Sequence, residues 1–262
     1  MPDPEKPEPT PTPAPPSADW LSLARTAARA ASSFLRPEPR PPAGGEAGPG
    51  AGSAELPRVV SPDTLRDERI PRGQVRTRKW PVLHAGPTPQ VDLKTWDLRC
   101  FGAVDRPVTW TWDEFRALPA AVVAADMHCV THWSRLDNAW QGVLVRDLIR
   151  HVGPRPEARF VLIHAEGGFT TNLPIDEFQA EDCLFAWSHD GRALDRDHGW
   201  PLRLVVPRLY AWKSAKWVRG VEFLEADRPG FWEQNGYHNH GDPWALNSNG
   251  TDSAERYWQT KT

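Results

Sequence analysis

The sequence predicts an α+β fold: a strand-rich domain with a few short helices, preceded by a proline-rich tail. Three observations carry this. Pro and Trp are segregated, with 15 of the 28 Pro in residues 1–62 and only Trp20 of the 14 Trp before residue 80. From Trp80 onward, short β-branched or alternating runs are separated by turn residues. There is no internal repeat and no regular strand–helix alternation, so nothing points to a doubly wound parallel sheet.

Residues 1–79 read as a tail, disordered or extended over 1–16 and 37–79, because a segment with so little to bury cannot offset the entropy of ordering it. Pro7, Pro9, Pro11 and Pro13 favour polyproline II. One amphipathic helix is expected over residues 18–36, capped by Ser17 and stopped by Pro37, with Trp20, Leu23, Ala27 and Ala31 on one stripe.

Residues 80–262 read as the folded domain. Strands are expected at 95–101 and 107–110, then a short helix opened by the capping box Thr111–Glu114 and ending near Leu118. Residues 121–127 read as a buried strand. Apolar spacing over 143–152 predicts a helix stopped by Gly153-Pro154. A strand at 159–164 and a helical turn at 174–178 follow. A strand at 183–187 then leads into Asp190-Gly191, a hairpin turn signal. Further strands are expected at 202–206 and 217–224. After Glu225 the chain is polar but carries Phe231, Trp232, Trp244 and Trp258, so it is expected to wrap over the domain, its rings in grooves and residues 247–262 loosely held.

Composition excludes several functions. The longest apolar run, 118–125, is far short of the roughly 20 residues of a membrane-spanning helix. A net charge of −3 does not advertise nucleic-acid binding. The N-terminus has neither a basic start with an apolar core nor a twin-Arg pair, so a cytoplasmic location is expected. Cys100, Cys129 and Cys183 lack C-x-x-C spacing. Nucleotide-binding loops, the serine-hydrolase elbow and the H-E-x-x-H zinc motif are absent.

Three stretches remain as candidates. Cys129 stands where a buried strand gives way to a polar loop, flanked by His128 and His132; it is a thiolate ligand or nucleophile, or else a small buried hydrophobe. Arg203 opens an apolar strand behind the Gly199–Pro201 turn, as an edge charge or as a fork for a phosphate. Lys213, Ser214 and Lys216 share a short loop that is either solvated or an anion cradle. One thiolate candidate and two cationic loops together suggest an anionic, metal-carrying cofactor.

Residues 80–245 resemble the molybdopterin-binding domain of the sulfite oxidase superfamily, most closely its small cytoplasmic sulfite oxidase-like oxidoreductases. The resemblance rests on His84–Pro89, His128–Arg135, Gly199–Pro207, Tyr210–Lys216 and Gly230–Trp244, in the family's order. It implies a single pyranopterin carrying molybdenum, with Cys129 as the metal's thiolate ligand and catalytic residue. It implies that His198 and Arg203 hold the pterin and its phosphate, that Ser214, Ala215 and Lys216 form the phosphate loop, and that His84 and His164 are further cofactor contacts. Where sulfite oxidases present two substrate-facing arginines, this chain has Leu83 and Ser134, with Arg135 adjacent. The implied activity is oxygen-atom transfer on a small-molecule or sulfoxide-type substrate, with an unidentified electron donor or acceptor. Trp133, Trp140, Trp200 and Trp212 are candidates for the pocket wall or for plain core. Two other readings stay open: a non-enzymatic molybdopterin carrier, and a zinc-binding module built on His238 and His240.

Overall fold

Two sheets face each other across one apolar core. The computed structural model describes residues 56–245. The helix expected over 18–36 and the chain end at 247–262 lie outside them.

The first sheet is built around β5 (Ala121–Cys129) and β6 (Trp133–Leu144), which pair antiparallel. Its order is β1 (Arg58–Val60), β5, β6, β9 (Leu184–His189) and β10 (Arg192–Ala193), with β2 (Val75–Arg76) added to β6 and β11 (Arg203–Val205) to β9. The second sheet runs β4 (Val108–Thr111), β3 (Asp97–Gly102), β12 (Val218–Leu224), β7 (Phe160–Ala165) and β8 (Thr170–Pro174). Leu98, Val143, Ile163, Phe185 and Val221 meet between the sheets. Three short helices add to this core, α1 (Trp112–Arg116), α2 (Val145–Val152) and α3 (Ile175–Phe178), while α4 (Phe231–Gln234) packs on a separate aromatic pair, Tyr210 and Trp212. From them Phe115, Leu148 and Phe178 are fully buried in it. Each such side chain contributes about 1.5–3 kcal/mol.

Local chemistry explains most boundaries. Thr111 Oγ1 accepts from the Glu114 amide while Glu114 reaches back to the Thr111 amide, the expected capping box. Gly153 ends α2 in the left-handed conformation (φ 62°). Asp190 and Gly191 both have positive φ, as a two-residue turn joining β9 to β10 requires.

Two expectations change. β6 is a 12-residue strand where no strand was expected. Asp137-Asn138 reads as a turn in sequence, but Leu136 and Asp137 together oppose Asp126 in a bulge, and the Asp137 amide donates to Asp126 Oδ1 at 2.9 Å. The tail also ends earlier than residue 79. β1 pairs parallel with β5 and β2 with β6, so the domain begins near residue 57. This stretch docks by polar bonds that apolar patterning does not register. Ser61 donates to buried Asp182 at 2.7 Å, and Arg69 grips buried Asp126 through Nε (2.9 Å) and Nη2 (2.7 Å). Removing one partner from a buried pair leaves a stranded charge, so Arg69→Met is expected to cost about 3 kcal/mol in denaturant unfolding. Arg76→Met, which breaks an ion pair exposed on both sides, is expected to cost less than about 1 kcal/mol.

Candidate cofactor site

Cys129 is the last residue of β5. The turn Val130–His132 returns the chain into β6, with the His132 amide donating to the Cys129 carbonyl at 3.0 Å and His132 itself left-handed (φ 67°). Directly paired residues share a sheet face, so Cys129 and Trp133 point the same way, as do Met127 and Arg135 two residues along. The Cys129 side chain enters a small apolar cluster with Met127, Trp133 and Trp140, roofed by Trp80, Leu83 and Trp200. Burial pushes its thiol pKa up. Thr131 Oγ1, donating to Sγ at 3.1 Å, and the Lys216 ammonium both pull it back down.

Arg203 comes from β11, on the far side of the first sheet. Its guanidinium is buried, with Nη1 donating to the His198 carbonyl (3.0 Å) and Nη2 to the Ser214 carbonyl (3.1 Å). The rings of Trp80 and Trp140 each lie 5.3 Å from its carbon. Its Nε has no partner, and no carboxylate pairs with it among the described residues. Lys216 is in the same position: Nζ donates to the Asp197 carbonyl at 2.6 Å, and no carboxylate completes it. Gly199 (φ 111°) is what lets them meet, since a Cβ there would stand 3.0 Å from Arg203 Cβ and 3.2 Å from Lys216 Cβ. Desolvation pushes Arg203 down to about 9, and desolvation together with the nearby Arg203 charge pushes Lys216 down to about 7.

The other expected residues mostly gather here. Ser214 and Ala215 lock their loop to β11: Ser214 Oγ accepts from the Val206 amide (3.0 Å) and the Ala215 carbonyl from the Leu204 amide (2.8 Å). His198 donates from Nδ1 to Asp195 (2.8 Å), and its ring stacks on Trp80 at 3.8 Å. Burial lowers its pKa, against the pull of Asp195. His84 Nδ1 donates to the Gly86 carbonyl at 3.0 Å, and the ring meets Trp217 edge-on at 5.0 Å. Desolvation, then the Lys216 charge, lowers its pKa. His164 stands apart. It lies on β7 of the second sheet, 2.8 Å from Glu222 and packed on Phe101. The zinc reading finds no support: His240 pairs with Glu177, and among the described residues no group of three or more His, Cys, Asp or Glu could hold a metal.

Trp80 and Trp217 were missed as site residues. Trp80 touches His198, Trp140, His189 and Arg203, and its carbonyl lies 3.2 Å from His198 Nε2. The only sequence signal was an isolated Trp before a Pro. Beside Trp80 lies a cavity of about 400 Å³ bounded by His189, Asp190, Arg192 and Leu194.

A buried thiol and two cations without counter-charges fit a group that ends in a phosphate and carries a soft-ligated metal. Residues 85–232 match the oxidoreductase molybdopterin binding domain family. The chain belongs to that family. It is 50% identical over 177 residues to the uncharacterized oxidoreductase YuiH of Bacillus subtilis, covering 67% of this chain and 89% of that protein. It is 29% identical over 188 residues to the sulfite oxidase of Arabidopsis thaliana (58% and 48% covered). It is 27% identical over 165 residues to the catalytic subunit of the protein-methionine-sulfoxide reductase MsrP of Campylobacter jejuni (54% and 53% covered). The chain thus spans about half the length of these two relatives. In fold it is similar to the sulfane dehydrogenase SoxCD of Paracoccus pantotrophus, with a TM-score of 0.52 at 19% identity over 63% of this chain and 46% of that one. The protein is therefore a molybdopterin-type oxidoreductase of the sulfite oxidase superfamily. No helix among the described residues is long and apolar enough to cross a membrane.

The paired cations give a pH test. In the cofactor-free protein Lys216 carries its proton only below about pH 7, and unfolded lysine keeps it to about 10.4. The unfolded chain therefore binds more protons in that window, and stability rises with pH between them. Anion binding runs the other way. Binding of inorganic sulfate, whose charge does not change over this range, followed by thermal shift, is expected to weaken from pH 6 to pH 8.5, and Lys216→Met to flatten that dependence.

Proposed function

We propose that this chain holds molybdopterin with its phosphate on Arg203, Lys216 and the Ser214–Lys216 loop and its molybdenum on Cys129 Sγ. The proposed activity is oxygen-atom transfer with sulfoxide-type small molecules. The observation that carries this is two cations with no ion-pair partner among the described residues beside a buried thiol, an arrangement that suits an anion with a soft metal end. When bound, the cofactor supplies a centre for two-electron oxygen-atom exchange.

The chain's own residues bind, orient and shield. Arg203 is fixed between two carbonyls and two indoles, so its charge is pre-positioned rather than recruited. Thr131 and Lys216 favour the thiolate that a metal needs. Cys129 is buried in the apolar cluster it shares with Trp133, against which Leu83 and Trp200 pack. Reducing a sulfoxide to a sulfide and water takes two electrons from an external donor and two protons.

With Arg203 and Lys216 assigned to the phosphate, the side chains at positions 83, 134 and 135 add no unpaired charge beside the sulfur, which favours an uncharged substrate over sulfite. Ser134 occupies the face opposite Cys129, where its hydroxyl donates to Gln74 Oε1 (2.5 Å) and accepts from His128 Nδ1 (2.9 Å). Burial holds His128 down to about 4, so it adds no charge at neutral pH. Leu83 packs against the cluster that holds Cys129. Arg135 shares the sulfur's face, but its guanidinium pairs with Asp190 at 2.7 Å and bonds Asn138. The three unpaired cysteines accord with a reducing compartment, and the cytoplasm is the proposed location.

The test is X-ray absorption at the molybdenum edge of wild type and Cys129→Ser. The variant is expected to lose one sulfur neighbour while keeping most of its pterin; an unchanged sulfur count would assign the ligand elsewhere. Wild type is expected to turn over a dialkyl sulfoxide with a kcat/KM at least about tenfold above that for sulfite.

A further inference from the structure

One buried ion pair has no part in the site so far. Lys213, completely buried, directly precedes the Ser214–Lys216 loop. Its ammonium donates to Glu233 Oε1 (2.7 Å), the Asn172 carbonyl (2.8 Å) and Asn172 Oδ1 (3.1 Å). Glu233, on α4, also accepts from the Trp212 indole at 3.0 Å. Further along the same segment, the Gly241 carbonyl accepts from the Tyr210 amide at 2.7 Å. A Cβ on Gly241 would stand 2.9 Å from the Trp212 ring. The segment therefore grips both ends of the turn Tyr210–Lys213, from which the phosphate loop hangs.

Through Tyr210 and Trp212 the same segment is linked to the other end of the site. Trp232 and Tyr237 pack with Tyr210 and Trp212 in an aromatic group that includes Val130, the residue after Cys129. Tyr237 meets Trp212 edge-on and Trp232 at a tilt, each at 4.9 Å. The segment thus holds the turn that bears both on the residue after Cys129 and on the base of the phosphate loop.

We propose that residues 230–241 are a latch that fixes the separation between Cys129 and the Ser214–Lys216 loop, with Lys213–Glu233 as its catch, so that the latch sets how long the cofactor stays bound. This rests on the cofactor assignment above. A ligand held at both ends gains from the second contact only while the two ends keep the matching spacing. A buried ion pair adds little net stability over an apolar pair of similar volume. Three acceptors around one ammonium do, however, specify a single position for it. Lys213 and Glu233 are positioning residues, since neither belongs to the group assigned to the cofactor.

The test uses cofactor-loaded full-length protein and two variants. Lys213→Met/Glu233→Leu removes both charges and keeps the volume. Glu233→Gln keeps the shape and an acceptor for Trp212. The readouts are the rate of pterin release, followed by the fluorescence of oxidised pterin, and amide exchange at Leu204 and Val206, which bond Ala215 and Ser214. Melting temperature reports the global fold. The double variant is expected to melt near wild type, to release pterin about tenfold faster and to exchange these two amides faster. Wild-type release from a folded double variant would overturn the proposal. Should the double variant not fold, Glu233→Gln decides by the same two readouts, and failure of both to fold would assign the segment a purely structural role and overturn the latch. If wild type carries no pterin the cofactor assignment itself fails, and the exchange arm then decides the latch alone, unchanged exchange overturning it.

Discussion

Arg203 and Lys216 are held side by side with no ion-pair partner among the described residues, and the site is built around that repulsion, which Asp195 and Asp197 offset only in part. Bringing two cations together out of bulk water is unfavourable, so the fold must impose it. Arg203 is held by backbone carbonyls and indole faces, which accept its protons without cancelling its charge. Lys216 is likewise given a carbonyl. Asp195 and Asp197 lie close enough to steady the pair, but Asp195 is occupied by His198 and Asp197 by Thr88. The charge stays available for an incoming anion, and the scaffold carries the cost.

The β5–β6 turn shows how a one-residue offset divides chemistry between two faces. Cys129 and Arg135 look toward the cations; His128 and Ser134 look the other way, into a buried polar patch where His128 Nε2 and Gln74 Nε2 have no partner. A polar side chain at position 134 therefore cannot face a substrate beside the sulfur. Arg135 can, but the β9–β10 turn supplies Asp190 to hold it. The polarity at the sulfur follows from strand register as much as from residue identity.

Much of this was legible in the sequence. Strands with clean apolar runs, the Thr111 capping box and the Asp190-Gly191 turn occur as expected, because each rests on local chemistry. Cys129, Arg203, Ser214, Ala215, Lys216, His84 and His198, which the family resemblance names, lie around one place in the fold. The failures share a cause. β1 and β2 are held by backbone pairing and by Ser61 and Arg69 reaching buried carboxylates 121 and 57 residues away, which no local window contains. Trp80 was invisible as a site residue because its role is to stack on His198 and lie against Arg203, partners more than 100 residues distant. His164 shares its residue type with His84 and His198 but lies on the second sheet, paired with Glu222, a placement that residue type does not reveal.

Lys213 and Lys216 show why residue type alone could not divide the work. They are three residues apart in one loop and read in sequence as equivalent cradle candidates. Lys213 turns inward, meets Glu233 and Asn172, and has its charge consumed. Lys216 turns toward Gly199 and Arg203 and keeps its charge unspent. Between them Ser214 and Ala215 are pinned to β11, so the loop cannot rotate to exchange the two lysines. The inward lysine fixes where the outward one stands, and a carboxylate from a later segment decides which is which.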